Sequence, residues 1–292
     1  MIHAKKIIVG GGTVAQIAKL FYPEAIVIAP DSGSYLALCE LWDNKETRIF
    51  VNRFGLEYST KNKIVRSTSI GESVKKYNEL TRKNLNSKPC DGVKEFFALD
   101  VQLPSIKFSV NDTVDVIDFD TKTLLTAKND VFAFDEIFIA SPLTFKMEYK
   151  ESSLVVPEYF PASFVECTCE KYRNDWDFLY LFEDEFLDNS LYRIVRKSDK
   201  KYVFEFACDK EFVLKQFSKC ARLYELLGDI KVTDVKENRF AHFYNKDMSY
   251  WTQIKDAHFI SRYSRLDNEF MLHNSIKCLL DSEKINLGEL FD

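Results

Sequence analysis

Three of the chain's nine glycines stand side by side at positions 10, 11 and 12. They follow the apolar run Ile7-Ile8-Val9 and precede Thr13-Val14-Ala15. This order reads as a short buried strand, a tight turn and the start of a helix. Gly10, Gly12 and Ala15 fall on the small-residue positions of G-x-G-x-x-A. At that spacing the first glycine permits the turn and the second lets backbone approach a pyrophosphate. The small third residue lets helix and strand pack closely. Free N–H groups at the helix start then attract the anion. The same residues also suit a plain strand–turn–helix with no nucleotide, so the motif alone leaves both readings open.

Downstream, residues 14–22 suit a helix and residues 25–29 (AIVIA) a second strand, which makes a βαβ beginning. Dinucleotide folds place an acid near the end of that strand to hold ribose hydroxyls. Asp31 is the acid near that point, and it equally suits a turn or helix cap in Asp-Ser-Gly-Ser. Residues 34–42 read as a helix and 48–54 as a strand. The polar stretch 59–95, with helical spacing over 73–85, reads as an insertion or cap rather than a sheet strand. From 93 to 140 short apolar runs broken by Asp, Asn and Pro suggest a meander, with 131–134 and 136–140 as separate strands. More strands are expected between 160 and 207. Residues 210–227 read as one amphipathic helix stopped at Gly228, and 268–280 as the last helix.

Composition narrows the function. A net charge of −5 gives no basic footprint for nucleic acid. No apolar run is long enough to span a bilayer and the first residues carry no signal-peptide pattern, so a cytoplasmic protein without a membrane partner is expected. Seven scattered cysteines suggest buried thiols rather than a disulfide framework, and Cys167-Thr168-Cys169 has no second pair nearby to make a zinc site. No metal site is expected. G-x-S-x-G, H-E-x-x-H and a Walker lysine are absent.

Four stretches in chain order carry a family resemblance. They are the glycine turn; Val116-Ile117-Asp118 with Lys122-Thr123-Leu124 and the run Phe134 to Leu143; Asp177 to Glu205; and Phe240 to Tyr244 followed by His258 to Asn268. Together they resemble the flavin-dependent amine oxidase, protoporphyrinogen oxidase and UDP-galactopyranose mutase group. The resemblance implies an α/β (mixed α+β) fold, with a Rossmann-like FAD-binding domain and an inserted, β-rich substrate domain. The FAD domain would be built from 1–58, 106–145 and 236–292, and the cap from 59–105 and 146–235. It implies FAD as cofactor, a small-molecule substrate, and oxidation of a small amine or related C–N or C–H bond by hydride transfer to flavin. Two alternatives stand beside it: a mutase-like flavoenzyme acting on a nucleotide sugar, and a degenerate, non-catalytic nucleotide-binding protein.

On that resemblance the pyrophosphate would lie over Gly10, Gly11, Gly12, Thr13, Val14 and Ala15, with Asp31 on the adenosine ribose. Arg53 would stand near the isoalloxazine, or be a surface arginine. Arg262 would neutralise the pyrophosphate or the flavin edge, or make a local salt bridge. Ser261 takes the place of the group's glycine in Gly-Arg, where a side chain could crowd the cofactor. Asp267 and Asn268 would also be cofactor-binding, at the amino end of a last helix that faces flavin in the group, and one of them equally suits an N-cap of that helix. His242, His258 and Tyr244 are the catalytic candidates, and each histidine equally suits a packed core position. Arg193 and Tyr263 are the substrate candidates. Arg193 and Arg196 facing the ring would favour a diphosphate substrate, and an aromatic cage an amine.

Overall fold

The computed structural model describes residues 1–30, 40–67, 72–82, 92–105, 107–154, 156–171, 176–181, 184–267 and 272–283. Asp31 and Asn268 lie outside them. The chain divides into two compact units: Met1–Ser59, Leu99–Pro157 and Asn245–Asp292 form the first, Thr60–Ala98 and Glu158–Tyr244 the second.

The first unit is built on a parallel sheet. The strand Ile2–Val9 pairs in parallel with Ile26–Ala29 on one side and Val131–Ile139 on the other. Val110–Asn111 extends it beyond Ile26–Ala29, and Ala257–Phe259 pairs in parallel with the end of Val131–Ile139. Three helices carry the apolar residues packed with this sheet. Thr13–Phe21 buries Ala15, Ile17, Ala18 and Phe21, one stripe at helical spacing. Phe50 of the helix Lys45–Arg53 and Ile276 and Leu279 of the helix Leu272–Ser282 join the same core as Ile8, Val27 and Phe138. Full burial of one such large side chain contributes roughly 2–3 kcal/mol. The carboxyl ends of these helices meet. Tyr22 OH lies 2.7 Å from Ser282 Oγ, Arg53 Nη2 lies 2.5 Å from Glu283 Oε2, and the Arg53 guanidinium sits 5.1 Å from the Phe21 ring.

Several sequence expectations are corrected here. Residues 45–53 are helix rather than strand: Asn44 Oδ1 accepts the Thr47 N–H at 2.9 Å, and the buried set Thr47, Ile49, Phe50 and Val51 lies on one helical side. Of the helix expected over 34–42, the described part Glu40–Trp42 is a strand. Residues 131–139 form one strand, because Ile2–Val9 pairs with it in parallel from Phe132 to Ile139, while its other side takes Thr123–Thr126 at Val131 to Ala133 and Ala257–Phe259 at Ile137 to Ile139. Residues 146–157, expected in the cap, belong to the first unit: Lys146–Tyr149 pairs with Val114–Asp118, and Ser152–Leu154 follows as a hairpin. Residues 99–105 fold with that unit as well, whereas 236–244 belong to the second.

The second unit is a mainly antiparallel sheet. Ile230–Phe243, Tyr159–Cys169, Lys201–Phe206, Leu191–Ser198 and Phe178–Leu181 follow one another, then Tyr58–Ser67 joins in parallel and Gly92–Val101 comes next. The stretch read as a non-sheet cap thus supplies two strands around the helix Glu72–Thr81. The single helix expected over 210–227 is two, Lys210–Phe217 and Arg222–Leu227, the second ending at Gly228 with φ +71°. Val213, Phe217, Leu223 and Leu227 pack with Val165, Ile194, Phe204 and Phe206. Cys167, Cys169 and Cys220 sit in this core as free thiols, each pushed up to about 12 by burial.

Candidate functional site

In the first unit the carboxyl ends of the parallel strands converge. Val9, Ala29, Ile139 and Phe259 end together, so the glycine turn, Ala140-Ser141-Pro142 and Ile260-Ser261 leave one sheet edge. Backbone bonds run the ladder on into these loops: Gly10 N–H donates to Ile28 O, Ala140 N–H to Val9 O and Ile260 N–H to Ile139 O. An edge of this type is where open α/β sheets bind ligands.

Gly10 has φ +120°, and a Cβ there would lie 3.0 Å from the Ser141 nitrogen. Glycine is thus required both by the turn and by the close approach of residues 140–141. Gly12 differs. Its φ of −78° and ψ of −176° suit any residue, so its backbone does not demand glycine. It precedes a helix with no capping side chain and no acid in its first turn, and an anion fits such an end.

Sequence reasoning missed a second signal at this edge. Ser141 Oγ is buried without a hydrogen-bond partner, beside Gly10. Thr47 Oγ1 and Ser275 Oγ are also buried and unpartnered, each in the first turns of its helix. His273 Nδ1 is unpartnered too, and Glu46 acts on the His273 imidazole, which ties the two helix starts together. Burial holds His273 below the usual imidazole value. Buried hydroxyls are normally bonded, and leaving one open costs about 1–3 kcal/mol, so the open Ser141 hydroxyl beside the glycine turn suits a polar ligand that completes its bonding. The group expected from the glycine turn, a dinucleotide with many hydroxyl and phosphate oxygens, fits this donor set. No sequence pattern announces such residues, because their burial is a product of the tertiary fold.

Ser261 also lies at the edge. It is 1% exposed with ordinary extended backbone, φ −125° and ψ 159°. Its Oγ accepts the Ser264 N–H at 3.0 Å while Ser264 Oγ accepts the Ser261 N–H at 3.1 Å. Serine is therefore unstrained here, and its hydroxyl caps the helix Arg262–Arg265. Arg262 donates to Tyr263 OH at 2.8 Å, and the Asp267 N–H donates to Arg262 O.

The other candidates lie elsewhere. Arg53 is bonded to Glu283 at the carboxyl end of its helix. His258 stacks on Phe138, centroids 4.5 Å apart, and Phe138 meets Tyr22 just beyond the carboxyl end of Thr13–Phe21. His258 Nε2 is 3.4 Å from Glu136 Oε2, and Lys6 Nζ is 3.3 Å from Glu136 Oε1. Burial lowers the His258 pKa against the pull of Glu136. This is a packed position, away from the turn. Tyr250 and Trp251 pack with Tyr149 and Phe119.

In the second unit His242 is buried edge-on to Tyr192, and Tyr244 is 58% exposed. Arg193 donates to Glu205 at 2.8 Å and Arg196 to Asp177 at 2.6 Å. Burial and the Glu205 charge raise the Tyr192 phenol well above its ordinary value. Among the described residues no group of three or more His, Cys, Asp or Glu could hold a metal ion, and no helix is long and apolar enough to cross a membrane.

No protein-family model matches this sequence, and no curated protein matches it. Solved structures do. A reduced UDP-galactopyranose mutase superposes with a TM-score of 0.61 at 10% identity, over 98% of this chain and 95% of that one. The chain has the fold of the group that its four sequence stretches resemble. A putrescine oxidase bound to putrescine shares the fold with a TM-score of 0.52 at 9% identity, over 97% of this chain and 98% of that one. So does an oxidoreductase from Methanosarcina mazei, with a TM-score of 0.55 at 8% identity, over 96% and 100%. The mixed α/β class with a Rossmann-like parallel sheet is thus the class expected from the resemblance.

Proposed function

We propose that the chain is an FAD-dependent oxidoreductase acting on a small amine or a related C–N or C–H substrate. The observation that carries the reading is the sheet edge, where an uncapped helix start follows a glycine its backbone does not need and the buried Ser141 hydroxyl has no partner. The likeness in fold to a putrescine oxidase supports it. FAD, when bound, supplies acceptance of a hydride, and the protein binds and orients it. The N–H groups of residues 12–15 would hold the pyrophosphate, with Ser141 completing a polar contact beside it. Arg262 would offset the anionic charge.

The amine is favoured over a nucleotide sugar by the arginines. A diphosphate needs open guanidinium groups, whereas Arg193 and Arg196 already hold carboxylates. Against the degenerate reading, the Ser261 hydroxyl is engaged by the Ser264 N–H at 3.0 Å.

Purified protein is expected to be yellow and to release flavin on denaturation. Gly12→Asp is expected to be colourless, since its carboxylate would meet the pyrophosphate, while melting within a few degrees of FAD-free wild type. A colourless wild type whose melting temperature ignores added FAD would overturn the proposal. Anaerobic bleaching by a small primary amine tests the substrate class, and bleaching by none of a panel of amines would remove it.

A further inference from the structure

The second unit contains an arrangement that none of the preceding chemistry uses. Phe160, at the start of Tyr159–Cys169, and Tyr244, just past Ile230–Phe243, meet edge to face with centroids 5.5 Å apart and an interplanar angle of 85°. The Arg82 guanidinium lies 4.4 Å from the Phe160 centroid and 5.3 Å from that of Tyr244. We propose that Phe160 and Tyr244 form a binding site for an alkylammonium group, which Arg82 of the same chain fills in this structure.

The two rings owe their places to the sheet. Phe160 is paired with His242, and Tyr244 follows two residues on, so strand alternation sets both rings on one side. A register shift between Phe160 and Ala162 sits next to this corner, and bulges of that kind re-aim side chains at sheet ends. Tyr244 is the more exposed partner, which leaves the corner open to solutes. Arg82, by contrast, comes from the residue after the helix Glu72–Thr81. Its φ of +54° is left-handed, a conformation that costs a non-glycine residue about 1 kcal/mol. Its Nη1 donates to Glu79 O at 2.6 Å, so the guanidinium is steered toward the rings. The strain is held at the cation's end of the contact while the rings stand on the sheet. Removing Arg82 therefore leaves the aromatic faces standing, and a ligand of like charge and shape takes its place. The proposal stands apart from the flavin reading, because the site is described without FAD.

The test uses the full chain without FAD and tetramethylammonium as probe, titrated by tyrosine-resolved chemical-shift changes at constant ionic strength against sodium. Arg82→Ala is expected to bind the probe about tenfold more tightly than wild type, from two ring contacts of roughly 0.5–1 kcal/mol each. Adding Tyr244→Leu or Phe160→Leu is expected to remove the gain. Arg82→Met, which keeps the length without the charge, serves as the second variant. Equal affinity in wild type and both Arg82 variants, or binding that survives loss of both rings, would overturn the proposal. Loss of fold in both Arg82 variants would do the same, by making the guanidinium structural rather than a replaceable occupant.

Discussion

In the first unit the hydroxyls of Thr47, Ser141 and Ser275 are buried without a hydrogen bond from the protein. In the second, Glu205 is 1% exposed with Arg193 2.8 Å away, and Asp177 is held by Arg196 at 2.6 Å. The first unit's open atoms are uncharged hydroxyls, that of Ser141 beside the glycine turn, whereas the second unit holds its buried carboxylates with its own arginines, although Gln216 Oε1 there is also buried without a hydrogen bond. The contrast is one of charge: the second unit pairs its buried carboxylates internally, and the first leaves a neutral hydroxyl open beside the proposed site. It also explains why Arg193, attractive from sequence as a substrate ligand, is committed within its own unit.

The largest test of this contrast is in the second unit. Glu205→Leu leaves Arg193 without its carboxylate in a mostly buried place, and breaking such a pair costs about 3 kcal/mol or more. Arg193→Leu together with Glu205→Leu is expected to be much less destabilising than the sum of the single changes. Urea denaturation of the four proteins measures this. Additive losses would mean that the pair is not a closed unit, and the difference between the two sheets would narrow.

A smaller effect, with a sign that distinguishes the units, is expected at the edge of the first. Ser141→Ala deletes a buried hydroxyl that makes no hydrogen bond, so the FAD-free protein should gain up to about 1 kcal/mol. The same change should weaken FAD binding several-fold. Opposite shifts of melting temperature without FAD and of affinity for it are the signature of a residue kept for a ligand. A loss of stability without FAD would place Ser141 among ordinary structural serines.

The parts of this layout that were legible in the sequence share a physical cause. Ile7 to Ala15 combines an apolar run with glycines whose turn has few alternatives, and Gly10 at φ +120° bears out the local reasoning. Residues 45–53 were misread because Arg48 to Phe54 is rich in apolar and aromatic residues that suit strands, and the decisive Asn44 cap lies just outside that run. Residues 58–67 were passed over because Lys61, Asn62 and Lys63 break any alternation, and the strand exists through its parallel pairing with Phe178–Leu181. Asp135 read as a break in 131–139, yet it is a solvent-facing residue beside His3 in a continuous strand. The candidate site divides the same way. Its glycines are local signals, whereas the open Ser141 hydroxyl matters only because a distant segment returns beside Gly10.

The finest distinction concerns His258, which the first unit buries on Phe138 rather than presenting at its edge. Burial depresses its pKa below the usual value of about 6.5, even with Glu136 3.4 Å away. The unfolded chain therefore takes up the proton at a higher pH than the folded one. Stability is complete above about pH 6.5 and declines as pH falls through the window down to the folded-state value. His258→Phe keeps a ring on Phe138 and removes the titration, so its melting temperature should fall less steeply between pH 7.5 and pH 5.5, a window chosen to bracket the ordinary imidazole value. His273, also depressed by burial, leaves a residual slope in that variant. An unchanged slope would show that His258 is not taken up by the core, and would return it to the candidates for chemistry. A reduced slope, with flavin colour unaltered, assigns His258 to packing on Phe138 rather than to chemistry.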